Sequence, residues 1–387
     1  LSTGRRRRSK TGAKKAYNLP LTELYLKFIN FTIHGIFIGN TLPNYSLSQG
    51  EKYLMKAIIP VAGAGTKLRP HTYTQPKALI PLAGKTILSI IVDQLKEAGI
   101  RDFIFIIGYL GEKIQDYVES NYPELNTHFI TQNERQGTGH AIELTKEIVG
   151  DDEVFIVLGD TIAEYDIRYM LDAPHSVLAI KKVDDPRNFG VAEINEENII
   201  SRVVEKPSIP KSNMALVGIY KIKESNILFD CLHEIDDSRK RAYDEFTLTD
   251  ALECMIRKGA RFYPLKVSNW FDCGKKESLI ASNAILLKKF GNTLHETSKQ
   301  TNTIIVPPVS IGAGCVISNS VIGPNVTIGD NTTLEHAIVK DSIIGSYSNL
   351  QEIVLNNSLI GSDAEVKGVS RNLNIGDNTA IDLGGSK

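Results

Sequence analysis

The sequence predicts an α/β domain with a mostly parallel sheet over residues 55–290, joined to a parallel β-helix of hexapeptide repeats over residues 302–382. Two observations carry that prediction. Between Met55 and Phe290, short apolar runs that stop at glycine alternate with stretches of helical apolar spacing. Such alternation implies right-handed βαβ units and a sheet covered by helices on both faces. Beyond Phe290 the composition shifts to Ile, Val, Asn, Ser and Gly, and an aliphatic-Gly pair recurs. An aliphatic at about every sixth position marks a coil that stacks on copies of itself.

The α/β part opens with Ala57-Ile58-Ile59-Pro60-Val61-Ala62, an apolar run that reads as a buried central strand. Helical spacing covers Thr86–Ala98 and stops at Gly99, a C-terminal cap. Asp102–Ile107 reads as a strand, Glu112–Ser120 as a helix and Thr127–Thr131 as a short strand. Thr138–Val149 is helical, and Val154–Leu158 is another buried strand. Ala215–Tyr220 is a later strand, while Phe246–Lys258 and Glu277–Phe290 have helical spacing. Ligands of such sheets bind where strands run out at their carboxyl ends, so those positions hold the candidates.

Directly after the first strand stands Gly63-Ala64-Gly65-Thr66-Lys67. Small residues let a backbone turn tightly, so that its N–H groups face a polyanion. Lys67, Arg69 and Lys77 add positive charge, and the combination suggests a nucleoside triphosphate. The loop has neither the G-x-x-x-x-G-K-[ST] of a P-loop nor the G-x-G-x-x-G of a dinucleotide fold. Gly63, Gly65, Thr66, Leu68, Pro70, Thr72, Pro76, Lys77, Leu79 and Pro81 instead follow G-x-G-T-R-L-x-P-x-T…P-K-x-L-x-P. On that long signature the chain resembles the sugar-1-phosphate nucleotidylyltransferases, and the resemblance extends from Met55 to the C-terminus. Lys67 stands where the family usually has arginine, which keeps the charge but loses the bidentate fork. The glycine loop is also one residue shorter than the commonest form.

The resemblance implies a Rossmann-like nucleotidyltransferase domain and assigns roles to its residues. Ala62, Gly63, Gly65 and Thr66 would bind the nucleotide. So would Gln132, Gly137 and Thr138 of QNERQGTGHA, which resembles the family's Q-x-x-x-G-T-[AG]-x-A. An amide offers both the donor and the acceptor that a pyrimidine edge requires. His140 in the same stretch is expected to cap or pack. Asp160 of Gly159-Asp160-Thr161 and Asp272 of Trp270-Phe271-Asp272-Cys273-Gly274 would be the ligands of Mg²⁺, a hard ion that takes oxygen donors. Cys273 replaces a usual threonine.

The sugar pocket would come from three further stretches: Asn188-Phe189-Gly190-Val191, Val203-Val204-Glu205-Lys206-Pro207 and ALVGIY over 215–220. Gly190 and Gly218 would let the ring approach the backbone, with Val217 among the binding residues beside them; Glu205 would accept from sugar hydroxyls, and Lys206 would meet the sugar phosphate. Lys67, Lys77 and Asp160 would then form the catalytic group. The sugar-1-phosphate oxygen attacks the α-phosphorus of the nucleotide and pyrophosphate leaves, so positioning and charge neutralisation suffice. Glucose-1-phosphate with dTTP or UTP is the expected pair. The alternatives are N-acetylglucosamine-1-phosphate uridylyl transfer and a non-catalytic regulatory subunit that senses a sugar nucleotide.

In the tail, hexapeptides begin at Ile311, Ile322, Ile328, Ile344, Ile360 and Ile375. They resemble the left-handed hexapeptide solenoid, with about four coils and with bulging loops expected near 317–322 and 334–344. Such solenoids also occur in acyltransferases that use a histidine base. Only His336 lies in the repeats, so a structural or oligomerising role is expected, and with it a homo-oligomer.

Composition bounds the remainder. Residues 1–54 hold nine Lys or Arg against two Glu, which leaves the rest of the chain near −8 and argues against general nucleic-acid binding. The apolar stretch Leu24–Ile38 in that leader is too short to span a membrane. The leader lacks the periodic patterns and is expected to be disordered and outside the fold. Cys231, Cys254, Cys273 and Cys315 are scattered without a C-x-x-C pair, which fits a reducing, cytoplasmic setting.

Overall fold

The computed structural model describes residues 55–134, 136–239, 246–368 and 374–382. The leader lies outside the described residues.

The α/β part runs as β1 (Met55–Pro60), α1 (Ile87–Glu97), β2 (Asp102–Ile107), α2 (Gly111–Asn121), β3 (Asn126–Thr131), α3 (Thr138–Glu143), β4 (Glu153–Val157) and β5 (Thr161–Glu164). It continues with β6 (Ser176–Lys182), β7 (Gly190–Ile194), β8 (Ile200–Glu205), β9 (Met214–Ile222), α4 (Ser225–Arg239), α5 (Leu248–Arg257), β10 (Phe262–Lys266), β11 (Asn269–Asp272) and α6 (Lys276–Phe290). A nine-stranded sheet has the order β3-β2-β1-β4-β9-β6-β10-β8-β7. Strands β3, β2, β1 and β4 are parallel neighbours. Strand β9 then enters antiparallel between β4 and β6, so the parallel half meets a mixed half there.

Alternation explains why β1 is central. Ala57 and Ile59 join one core with Phe103 and Phe105, while Ile58 joins the opposite core with Ile104, Ile106 and Ile156. A strand places successive side chains on opposite faces, so an unbroken apolar run buries both faces. Helix α1 starts on a capping box in which Thr86 and Ser89 bond reciprocally. The helix expected over Thr138–Val149 is instead two pieces. Thr145 is buried and its Oγ1 donates to the Ile142 carbonyl at 2.7 Å, and a second short helix covers Lys146–Val149.

The solenoid begins earlier than its repeats suggest, because Thr293–Leu294 already pairs with Ser310–Ile311. Two six-stranded parallel ladders and one four-stranded ladder form its sides. Leu294, Ile311, Ile328, Ile344, Ile360 and Ile375 stack in register along one ladder. Ile317, Leu334, Leu350 and Val366 do so along another. The bulging loops expected near 317–322 and 334–344 are not there. Coils one to three residues shorter than three full hexapeptides absorb the slips, and turns with positive φ at Asn319, Asn331, His336 and Asp341 close them.

The solenoid lies alongside the α/β part. Ile343 and Leu359 belong to the same buried cluster as Leu88 and Leu279. Asn283 on α6 accepts at Oδ1 from Ala83 N at 2.8 Å and from Thr327 Oγ1 at 2.7 Å, and its Nδ2 donates to the Asn325 carbonyl at 3.2 Å. A fully buried amide that bonds both parts in this way fixes their register.

Candidate active site

The site forms where β1, β3 and β4 run out, at the carboxyl edge of the parallel half. Gly65 turns the first loop in the left-handed region, with φ 59°. Its carbonyl accepts from Thr72 Oγ1 at 2.9 Å. A Cβ on Gly65 would lie 2.9 Å from Thr72 Cγ2 and 3.0 Å from Lys77 Cβ, so only glycine allows the loop to pack so closely. Nothing lies within 4 Å of the same position at Gly63, which faces the open cavity. Thr66 and Lys67 continue the loop and are exposed.

Lys77 projects from the turn Lys77–Leu79 and places Nζ 2.6 Å from Asp160 Oδ2. Asp160 comes within reach because Gly159 lets the end of β4 press on the end of β1. A Cβ on Gly159 would be 2.3 Å from Val61 Cγ1 and 2.8 Å from the Pro60 carbonyl. The Lys77 side chain is 16% exposed and that of Asp160 46%. The pair therefore sits at the cavity wall, reachable by solvent and by ligand.

Gln132 follows β3 and is buried. Its Nε2 donates to the Gly137 carbonyl at 3.1 Å and to His140 Nδ1 at 3.1 Å. The His140 ring packs against the Gln132 amide through Nδ1 and helps to hold it. Gly137 has φ 105°, and a Cβ there would be 2.1 Å from the Phe246 carbonyl. Thr138 Oγ1 accepts from Leu248 N at 3.0 Å, which ties the start of α3 to that of α5.

A second hollow opens beyond Asp160. Strand β9 shifts register between Leu216 and Tyr220, where Gly218 takes φ 93°. The Val217 carbonyl accepts from Thr161 Oγ1 at 3.1 Å. Glu205 Oε2 accepts from Thr249 Oγ1 at 2.8 Å, and Lys206 Nζ stands 3.4 Å from Glu205 Oε1. A Cβ on Gly190 would lie 3.2 Å from Glu205 Oε2 and 3.0 Å from Thr249 Oγ1. Phe189 and Trp270 form one wall, edge to face, with ring centroids 4.8 Å apart. Burial first, and the nearby Glu205 carboxylate second, push the Tyr220 hydroxyl pKa up, so Tyr220 stays a neutral phenol in that hollow.

Two adjacent cavities with partly shared walls result. The larger, about 560 Å³, is lined by Ala62, Gly63, Gly65, Thr66, Lys67, Lys77, Gln132, Gly137, Thr138, Asp160, Glu205 and Lys206. The smaller, about 210 Å³, is lined by Gly190, Val217, Gly218, Phe189, Trp270 and Thr249, and shares Thr138, Asp160 and Glu205 with the first. Asp272 pairs through its main chain with Thr161, next to Asp160, while its side chain lies outside the description. Among the described residues no group of three His, Cys, Asp or Glu side chains forms a metal centre. Sequence reasoning missed Thr249, Phe189, Trp270, Thr247 and Lys275 as lining residues. Phe189 and Trp270 stand within motifs already singled out, whereas Thr249 lies on a helix that read as structural.

A family model described as nucleotidyl transferase matches residues 56–289. The chain belongs to this family. It is 36% identical over 263 residues to "Bifunctional protein GlmU" of Methanocaldococcus jannaschii, covering 68% of this chain and 61% of that protein. It is 29% identical over 313 residues to a glucose-1-phosphate thymidylyltransferase of Streptomyces griseus, covering 75% of this chain and 87% of the relative. Among solved structures, a UDP-glucose pyrophosphorylase complexed with UDP-glucose aligns with a TM-score of 0.53 at 25% identity, covering 61% of this chain and 99% of that one. Among the described residues, no helix of this nucleotidyltransferase is long and apolar enough to cross a membrane.

Proposed function

We propose that the chain is a sugar-1-phosphate nucleotidylyltransferase that joins glucose-1-phosphate to the nucleotidyl group of dTTP or UTP and releases pyrophosphate. The observation that carries this reading is the adjacency of the two cavities, which share Asp160 and Glu205 as lining, with Lys77 in the larger one bonded to Asp160. The larger takes the nucleoside triphosphate and the smaller takes the sugar. Relatives named for thymidylyl transfer and for UDP-glucose support the choice of base and sugar.

In this reading the backbone of the loop from Ala62 to Thr66 cradles the triphosphate, and Lys67 neutralises the departing pyrophosphate. Gln132 and Gly137 present polar edges to a pyrimidine, with the Gln132 amide held by His140. Glu205 accepts from sugar hydroxyls, and Lys206 draws in the sugar phosphate. Lys77 offsets negative charge on the oxygens of the phosphate under attack. Positioning and preorganised charge supply the rate, since the nucleophile is the substrate's own phosphate oxygen. Asp160 fits Mg²⁺: it is a half-exposed carboxylate between the cavities, and Mg²⁺ binds through one or two carboxylates plus substrate phosphates. With Asp272 beside it, it would hold the ion, which when bound neutralises phosphate oxygens. Lys77 is the counter-ion that Asp160 has in the structure.

The second reading is N-acetylglucosamine-1-phosphate with UTP. Pyrophosphate release, measured with glucose-, N-acetylglucosamine- and mannose-1-phosphate against each of dTTP, UTP, CTP, GTP and ATP, separates the two. A strong preference for glucose-1-phosphate with dTTP or UTP is expected. Preference for the N-acetylated sugar selects the second reading, and sugar-nucleotide binding without turnover points to a regulatory subunit.

A further inference from the structure

The segment that follows the glycine loop is gripped from two sides. On one side, Tyr109 Oη donates to the Tyr73 carbonyl at 3.0 Å and Lys113 Nζ to the Thr74 carbonyl at 2.7 Å. On the other side stands the last described coil of the solenoid. The buried ring of His71 bonds through Nε2 to Asn374 Oδ1, and Thr74 Oγ1 donates to Asp377 Oδ2. Gly376 lies so close that a Cβ would meet Pro70 Cβ at 2.9 Å and Pro70 Cγ at 3.1 Å. The two hydrogen-bonded pairs are each 303 residues apart in sequence.

The grip is connected to the site. Thr72, between the two clamped residues, holds the Gly65 carbonyl through Oγ1 at 2.9 Å and packs where Gly65 and Lys77 meet. Asp377 is itself anchored in the solenoid, because its Oδ1 accepts from Ser362 N at 2.6 Å. A rigid, stacked coil thus bears on the loop between Gly65 and Lys77 through hydrogen bonds that have defined directions.

We infer that Asn374 and Asp377 are positioning residues for the nucleotide: the end of the solenoid sets the loop that holds the triphosphate, acting through His71 and Thr74. This rests on reading that loop as the triphosphate cradle. A solenoid that only stabilised or assembled the protein would need no polar contact at this loop.

The test uses the full chain and the double variant Asn374→Ala with Asp377→Ala. The KM for UTP or dTTP is expected to rise about tenfold while the KM for sugar phosphate stays within about twofold. Thr74→Val removes one of the same bonds from the loop side and shifts the nucleotide KM the same way should the double variant fail to fold. Asp377→Asn keeps an acceptor at Oδ1 for Ser362 N and turns Nδ2 toward Thr74 Oγ1, a hydroxyl that can accept as well as donate, so its nucleotide KM stays near wild type. Thr327→Val loosens the solenoid at Asn283, away from the loop, and lowers the thermal midpoint with the nucleotide KM unchanged. Unchanged nucleotide KM in the double variant and in Thr74→Val, or an equal rise in Thr327→Val, overturns the inference. If the wild-type chain turns over no substrate pair, the functional reading fails, and equilibrium binding of UTP to the same variants still decides this one.

Discussion

At the scale of single residues, the account depends on Asp160 and its partner. Asp160→Asn is expected to lower kcat at least about a hundredfold, because a neutral amide loses the charge that phosphate transfer needs. The thermal midpoint should move little, since the Asp160 carboxylate is half exposed and solvent can screen the charge left on Lys77. Turnover equal to wild type would remove Asp160 from the reaction. Gly190→Ala is expected to raise the KM for sugar phosphate selectively, as its Cβ meets Glu205 Oε2 at 3.2 Å and Leu216 Cδ1 at 3.0 Å. Initial rates with sugar phosphate varied at saturating nucleotide check it. The glycine loop and the cations near it were legible in the sequence because they fall in one short segment and on a long signature. Thr249 was not legible. Its hydroxyl serves Glu205 from a helix 44 positions downstream, and only the packing of α5 against β8 brings them together.

At the scale of elements, apolar runs located β1, β2 and β4 because these strands are buried on both faces. They misjudged where elements stop. The stretch Thr138–Val149 keeps helical spacing throughout, yet Thr145 turns its hydroxyl onto the Ile142 carbonyl and breaks it. In the solenoid, the repeated Ile-Gly marked the inward positions, while the shortened coils could not be read from spacing alone. What holds that element is stacking of identical rungs. Leu334 is fully buried between Ile317 and Leu350. Leu334→Ala is expected to cost about 2–5 kcal/mol, since a stack of fixed rung spacing cannot collapse onto the void. Chemical denaturation followed by circular dichroism measures that loss, and a change under about 0.5 kcal/mol would contradict it.

At the scale of the whole molecule, the lateral seat of the solenoid was not legible, because it is made by Asn283, Ile343, Leu359 and Asn374, each unremarkable in its own repeat or helix. The seat makes stability depend on pH. Burial holds the His71 pKa below its usual 6.5, with Lys276 adding to that and Asp377 and the Asn374 bond opposing it. The unfolded chain therefore takes up the proton first. Its contribution is full above about pH 6.5 and is lost as pH falls from there through the folded pKa. His71→Gln keeps a donor for Asn374 but cannot titrate, so its thermal midpoint should fall less than that of wild type between about pH 7.5 and about pH 5.5. Equal falls would contradict the assignment. Attack on the α-phosphorus between the two adjacent cavities is tested by labelling. The full chain is given glucose-1-phosphate and UTP or dTTP that is radiolabelled at either the α- or the γ-phosphorus. The account predicts α-label in the sugar nucleotide and γ-label in pyrophosphate; γ-label in inorganic phosphate or on the sugar, or no transfer at all, would contradict it.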